Sequence, residues 1–139
     1  MGWTRESFAS WLAAYGAAWE ARDARAFVRL FTPDCAYYWT PVQGPYVGRE
    51  AIGGAFERAT ATQDGIEFGA QVLGVTAERG LAHWTCTFTR RPAGHSVYLD
   101  GMLVARAGPD GMCVEFREWW HAAEPAAGLD RLVLPSAGA

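Results

Sequence analysis

The sequence predicts an α+β domain in which three helices, all in the N-terminal part, cover one face of a curved antiparallel sheet. Three observations carry that expectation. Apolar residues recur at helical spacing in the first part of the chain, the period changes to two from residue 66 to 121, and the connections inside that second stretch are only a few residues long.

The first helix is marked by Phe8, Trp11, Leu12, Tyr15 and Trp19 on one side and Arg5, Glu6, Glu20 and Arg22 elsewhere. Thr4 is placed to cap it, and Trp3 to pack on Phe8 across the cap. Asp23 then caps a shorter second helix carrying Phe27, Leu30 and Phe31, which should end where Thr32 precedes Pro33. Residues 35–40 are mainly aromatic or β-branched and read as a strand, followed by a Pro- and Gly-punctuated rim loop over 41–48. A third helix over 49–60 places Ile52, Phe56 and Ala59 together. Its interior Gly53 and Gly54 cost about 1 kcal/mol each against alanine, which implies close packing against another backbone or a local kink. Four strands follow at 66–77, 81–90, 96–107 and 112–121, joined by Glu78-Arg79-Gly80, Pro92-Ala93-Gly94 and Gly108-Pro109-Asp110-Gly111, so an antiparallel meander is expected. The domain is assigned to residues 1–121. The tail, 122–139, is rich in Ala, Gly and Pro and carries an apolar patch at Leu129, Leu132, Val133 and Leu134, readable as a lid, a partner contact or a loosely attached end.

Composition narrows the function classes. A chain of 139 residues builds one core, and with 14% aromatic residues, seven of them Trp, a pocket in that core can be walled by flat side chains. The net charge of −3 and the lack of a basic run argue against nucleic acid. Every one of the 12 Lys-or-Arg positions is Arg, so chemistry that needs a lysine, whether a Schiff base, a Walker-type phosphate loop or pyridoxal-phosphate anchoring, is excluded. The absence of Lys and Asn, with Ala, Gly and Arg enrichment, points to a GC-rich bacterial genome. Cys35, Cys86 and Cys113 are odd in number, widely spaced and set in apolar segments, so they read as buried small hydrophobes in a reducing compartment. With no long apolar run, a soluble cytoplasmic protein without membrane contact is expected. His83, His95 and His121 lack metal-ligand spacing, and neither a Gly-x-Ser-x-Gly elbow nor a Gly-x-Gly-x-x-Gly fingerprint occurs, so neither metal nor cofactor is expected.

Three short stretches, taken in order, carry a resemblance: Phe31-Thr32-Pro33-Asp34, Gly48-Arg49-Glu50-Ala51-Ile52, and Asp110-Gly111 ahead of Cys113-Val114-Glu115-Phe116-Arg117-Glu118-Trp119-Trp120. Together with the element order they resemble the nuclear-transport-factor-2-like, or SnoaL-like, superfamily of cone-shaped α+β folds, over about residues 5 to 121. The superfamily includes steroid isomerases, SnoaL-type cyclases, scytalone dehydratases and limonene-epoxide hydrolases. The resemblance implies a cone pocket for a small hydrophobic molecule and general acid/base chemistry. The steroid isomerases carry a base near the end of the first strand, where this chain has Tyr38, Trp39 and Thr40. Their acid in the penultimate strand, shared with the cyclases, aligns with Leu103. Phe116-Arg117-Glu118-Trp119-Trp120 is similar to the last strand of the epoxide hydrolases, with Glu118 in the place of an acid.

Strand alternation gives an independent view of which groups point inward. With Trp84, Cys86 and Phe88 facing the helices, Leu99, Gly101 and Leu103 face the same way on the next strand and Phe116, Glu118 and Trp120 on the last. Glu118 is then a carboxylate among aromatics, with a pKa raised by desolvation unless it is paired. The candidate catalytic groups are Glu118, with Tyr15 and Tyr37 as hydrogen-bond donors; the candidate substrate-binding residues are Trp39, Phe56, Trp84, Phe88, Gly101, Leu103, Phe116 and Trp120, Gly101 leaving room for the ligand. Asp100 and Arg117 are expected to form a cross-strand ion pair on the convex face, and Glu20 to be a solvated helix residue. Trp119, Met102 and Val104 on that face suggest a homodimer. Two functions remain: a cofactor-independent isomerase, cyclase, dehydratase or epoxide hydrolase, or a ligand-binding or dimerisation module without chemistry.

Overall fold

The computed structural model describes residues 2–125. Thr4 caps α1 (Arg5–Ala21) through a reciprocal pair of hydrogen bonds with Ser7, and the Trp3 ring lies 5.1 Å from Phe8 across the cap. Asp23 accepts from the Ala26 amide and starts α2 (Ala24–Val28). This helix is shorter than expected. Phe31 opens β1 (Phe31–Tyr38) instead of closing the helix, because the Leu30 carbonyl is taken by the Cys113 amide and the Trp11 indole, and Phe31 is in register with Cys113. Pro33 therefore sits inside a strand, within a stretch where the β1 register is broken, so its missing N–H removes no ladder bond.

After the two-residue β2 (Tyr46–Val47), Gly48 at φ 89° leads into α3 (Arg49–Thr60), donating its amide to the Cys35 carbonyl. The helix is unbroken. A Cβ added at Gly53 would stand 3.1 Å from the Val28 side chain, so this glycine allows α2 and α3 to close on each other.

The remaining strands are β3 (Gln63–Val75), β4 (Arg79–Arg90), β5 (Ser96–Ala107) and β6 (Cys113–Ala123), with a 3₁₀ turn at Pro109–Gly111 before β6. They form a six-stranded curved sheet in the order β2-β1-β6-β5-β4-β3. All neighbours are antiparallel except β1 and β6, which are parallel. β3 starts three residues earlier than the alternating pattern suggests, and β6 runs to Ala123, beyond the expected domain end at 121. The patch at Leu129, Leu132, Val133 and Leu134 lies outside the described residues.

The inner face of the sheet and the helices enclose a core that differs along its length. At one end Phe8, Trp11, Phe31 and Phe116 fill the interior, each removed from water at a gain of about 1.5–3 kcal/mol. Cys35, Cys86 and Cys113 are buried and free. No helix among the described residues is long and apolar enough to cross a membrane.

Candidate functional site

Toward the other end the packing opens into a cavity of about 230 Å³. Its walls are aromatic: Trp19 from α1, Phe27 from α2, Phe56 from α3, Trp39 beyond β1, Trp84 and Phe88 from β4 and Trp120 from β6. Polar groups occur at two levels. At the inner level stand Tyr15, Tyr37 and Glu118; near the strand ends stand Thr60, Gln63, Arg90 and Glu124.

Glu118 reaches the inner level because β6 alternates regularly after an irregularity near its start, which turns Phe116, Glu118 and Trp120 to the concave side. The Tyr37 hydroxyl donates to Glu118 Oε2 at 2.8 Å, so its own proton is committed and the Tyr15 hydroxyl, 3.0 Å away, must donate to Tyr37. The second carboxyl oxygen, Oε1, makes no hydrogen bond among the described residues and keeps some accessible surface in the cavity that Glu118 lines. Glu118 is only 5% exposed, and among the described residues no cation pairs with it; burial raises its pKa from 4.5 to about 8, with the Tyr37 hydrogen bond pulling the other way. At neutral pH this side chain is a carboxylic acid, able to give up a proton from inside an apolar cavity. Tyr15 and Tyr37 are themselves pushed well above the usual phenol range by burial and by the Glu118 charge, so both remain hydrogen-bond donors.

The outer level is held by charge. Arg90 makes two hydrogen bonds to Glu124, at 2.8 and 3.0 Å, and a third to Thr62 Oγ1; His95 Nε2 lies 2.9 Å from Glu124 Oε1. The Arg90 hydrogen bonds, joined by His95, hold the Glu124 carboxyl down at about 2. This collar ties the ends of β4 and β6 to the turn before β3. The two carboxylates on the cavity wall are therefore pushed in opposite directions, one by burial and one by pairing.

The structure brings eight of the expected site residues to the cavity wall: Glu118, Tyr15, Tyr37, Trp39, Phe56, Trp84, Phe88 and Trp120. Three others do not line it. Leu103 and Phe116 are 1% and 0% exposed and belong to the filled end of the core. Gly101 leaves no room for a ligand, because the Trp84 ring occupies the space; a Cβ there would lie 2.7 Å from two of its atoms. In that position the Trp84 indole N–H is buried without a partner among the described residues. Leu103 is directly opposite Glu118 in the β5–β6 ladder, so the acid stands one strand away from the position that the resemblance to the isomerases and cyclases implies and at the one that the resemblance to the epoxide hydrolases implies.

One expectation about the surface is corrected. Asp100 is opposite His121, not Arg117; its carboxylate binds His83 Nε2 at 2.8 Å and the Tyr98 hydroxyl at 2.9 Å. Arg117 is instead stacked over the Tyr38 ring, 3.7 Å from its centroid. Glu20 is an exposed helix residue, as expected, and also accepts the Phe68 amide at 2.9 Å, satisfying an N–H on β3, an edge strand.

Arg90, Glu124, Gln63, Trp19 and Phe27 were not singled out from the sequence as site residues, yet all line the cavity. Strand parity contained part of the signal: Arg90 continues Trp84, Cys86 and Phe88, and Glu124 continues Glu118, Trp120 and Ala122.

A sequence model of the SnoaL-like domain matches residues 12–116. The chain belongs to the SnoaL-like family. Solved structures with the same fold include a putative isomerase from Bacillus subtilis, 16% identical with a TM-score of 0.73 over 84% of this chain and 87% of that one. The epoxide hydrolase/cyclase-like enzyme SalBIII of pyran ring formation in polyether salinomycin is 17% identical, with a TM-score of 0.73 over 84% of this chain and 92% of its own. A protein of ketosteroid isomerase-like fold from Catenulispora acidiphila, in complex with trimethylamine, is 16% identical with a TM-score of 0.70, over 78% and 83% of the two chains. At these identities the likeness to solved structures shows the fold alone. No curated protein matches the sequence. SnoaL-like membership establishes a fold compatible with small-molecule binding and shared with isomerases and cyclases, and leaves substrate and reaction to be argued from the cavity.

Proposed function

We propose that this SnoaL-like protein is a cofactor-independent general acid/base enzyme, of isomerase, cyclase, dehydratase or epoxide-hydrolase type, acting on a small hydrophobic molecule held in the aromatic cavity. The observation that carries this reading is the buried Glu118, protonated at neutral pH, joined to Tyr37 and Tyr15 and with one oxygen that makes no hydrogen bond among the described residues. Glu118 gives its proton to an oxygen of the substrate, Tyr37 compensates the carboxylate left behind, and Tyr15 supports Tyr37. Isomerase and epoxide hydrolase/cyclase-like enzymes among proteins of this fold support the reaction class.

The test is turnover of a panel of cyclic enones and epoxides followed by NMR. Loss of at least about 100-fold in Glu118→Gln, with a rate that falls as pH rises through about 8, is expected. Full activity in that variant removes Glu118 from the mechanism. One observation favours the second reading, a binding module without chemistry: Glu124, the other carboxylate on the cavity wall, is locked to Arg90, so among the described residues no second free carboxylate lines the cavity. Ligand binding without turnover across the panel would support it.

For assembly, the convex face supports a homodimer. Trp119 and Met102 are 44% and 40% exposed and lie opposite each other across β5 and β6. Light scattering should give twice the 15.2 kDa chain mass, and Trp119→Asp should halve it. A monomeric mass for the unaltered protein would overturn the dimer.

A further inference from the structure

We propose that Gln63 is a specificity-determining residue of the cavity: its side-chain Nε2 donates a hydrogen bond to an oxygen acceptor on the end of the ligand remote from Glu118. The inference rests on the reading of the cavity as a ligand pocket and goes beyond it by naming a second recognition point.

Gln63 is 6% exposed and lines the cavity. Its carboxamide has a fixed orientation. The Trp19 indole Nε1 lies 2.8 Å from the Gln63 oxygen, and an indole N–H can only donate, so the oxygen must face Trp19 and the NH2 group must point away from it. Among the described residues that NH2 group makes no hydrogen bond, and it keeps accessible surface on the cavity side. With its acceptor held by Trp19, the carboxamide presents two donors to the cavity, and a ligand that displaces water from them must supply an acceptor or leave them unpaired. The cavity it lines is where that acceptor would sit.

Its height in the cavity follows from the register. Gln63 is opposite Arg90, and Arg90 is bound to Glu124. Glu118 lies within β6 and Glu124 just past its end, six positions on, so the outer level stands further along the strand than the inner one. A ligand spanning the aromatic middle therefore meets a protonated acid at one end and a carboxamide donor at the other. The charges at the outer level are already paired with each other, so the group they favour is a neutral acceptor, a carbonyl, ether or hydroxyl oxygen, and not a carboxylate or an amine. The cavity is slightly below the usual range of about 300–1,000 Å³ for drug-sized sites, which suits a slender or flat molecule.

The chain offers an unusually clean readout. It contains no Asn and only three Gln, at 43, 63 and 71, so a ¹⁵N correlation spectrum holds three carboxamide NH2 pairs. Gln43 and Gln71 are exposed, and replacing each by Glu assigns the Gln63 pair by elimination without touching the core. The probes are 2-acetylnaphthalene and 2-ethylnaphthalene, alike in shape and differing in the carbonyl. The ketone should move the Gln63 NH2 protons and the hydrocarbon should leave them in place. The ketone should also bind about two- to tenfold more tightly than the hydrocarbon, and Gln63→Met should abolish that preference. If both probes bind but the ketone leaves the Gln63 signals unmoved and shows no preference, the Gln63 assignment is overturned while the pocket reading stands. If neither probe perturbs any cavity residue, the pocket reading fails and takes this inference with it. The spectrum of the unaltered protein decides the matter even if Gln63→Met does not fold.

Discussion

Replacing Glu118 by glutamine should make the protein more stable, and increasingly so as pH rises. In the folded chain this carboxyl titrates at about 8 instead of 4.5, because ionising it puts a charge in an apolar interior with only the Tyr37 hydroxyl to meet it. The folded state thus holds a proton that the unfolded state has already released. Stability linked to that proton is fully present below about 4.5 and is lost as pH rises through about 8. At about 1.4 kcal/mol per pH unit, the loss between those limits is at most about 5 kcal/mol, a large part of a domain's total stability. Glutamine keeps an oxygen to accept from Tyr37 and has no proton to lose. Urea unfolding of both proteins from pH 5 to 9 isolates the effect, since every other titrating group cancels in the difference. The variant should gain on the parent by about 1.4 kcal/mol per unit up to about pH 8 and level off above it. A difference that stays constant with pH would refute the claim that Glu118 is buried without a compensating charge.

Three further outcomes are expected. Tyr37→Phe removes the one hydrogen bond that favours the Glu118 carboxylate and leaves Tyr15 without its acceptor; it should raise the Glu118 pKa above about 8, read by NMR titration, and cost about 1–2 kcal/mol in urea melts. Gly101→Ala places a methyl 2.7 Å from the Trp84 ring and 2.8 Å from the Trp119 carbonyl, and should cost about 1–3 kcal/mol in the same assay, with a changed Trp84 environment in near-ultraviolet circular dichroism. Glu124 is held at about 2 by Arg90 and His95, so its stabilisation is present above the usual carboxylate range and is lost as pH falls toward 2. Glu124→Gln should therefore cost on the order of 1 kcal/mol at neutral pH and flatten the acid limb of the stability curve.

The order of elements and the inward set Trp84, Glu118 and Trp120 were legible in the sequence because period-two alternation reports which face a residue takes. Alternation does not report height along the cone. Leu103, Phe116 and Gly101 have the right face but lie where the core is filled, and only the position of α1 and of the Trp84 ring reveals that. Phe31 was placed in the second helix because Thr32 precedes a proline. Pairing of Leu30 and Phe31 with β6 decided otherwise, a tertiary effect that local rules do not contain. The roles of Glu20 and Gln63 are of the same kind, since each depends on a partner more than 40 residues away in sequence. Arg90 and Glu124, in contrast, obey parity, since Arg90 ends β4 and Glu124 follows β6 on the inward-facing alternation.

The most direct test of the proposed chemistry is a carboxyl-carbon NMR titration of Glu118, assigned with Glu118→Gln. A midpoint near 8, well separated from the other carboxylates, would establish an acid that keeps its proton at neutral pH inside the aromatic cavity. A midpoint at or below the ordinary 4.5 would mean an ionised and compensated carboxylate, and the general-acid role assigned to Glu118 would be wrong.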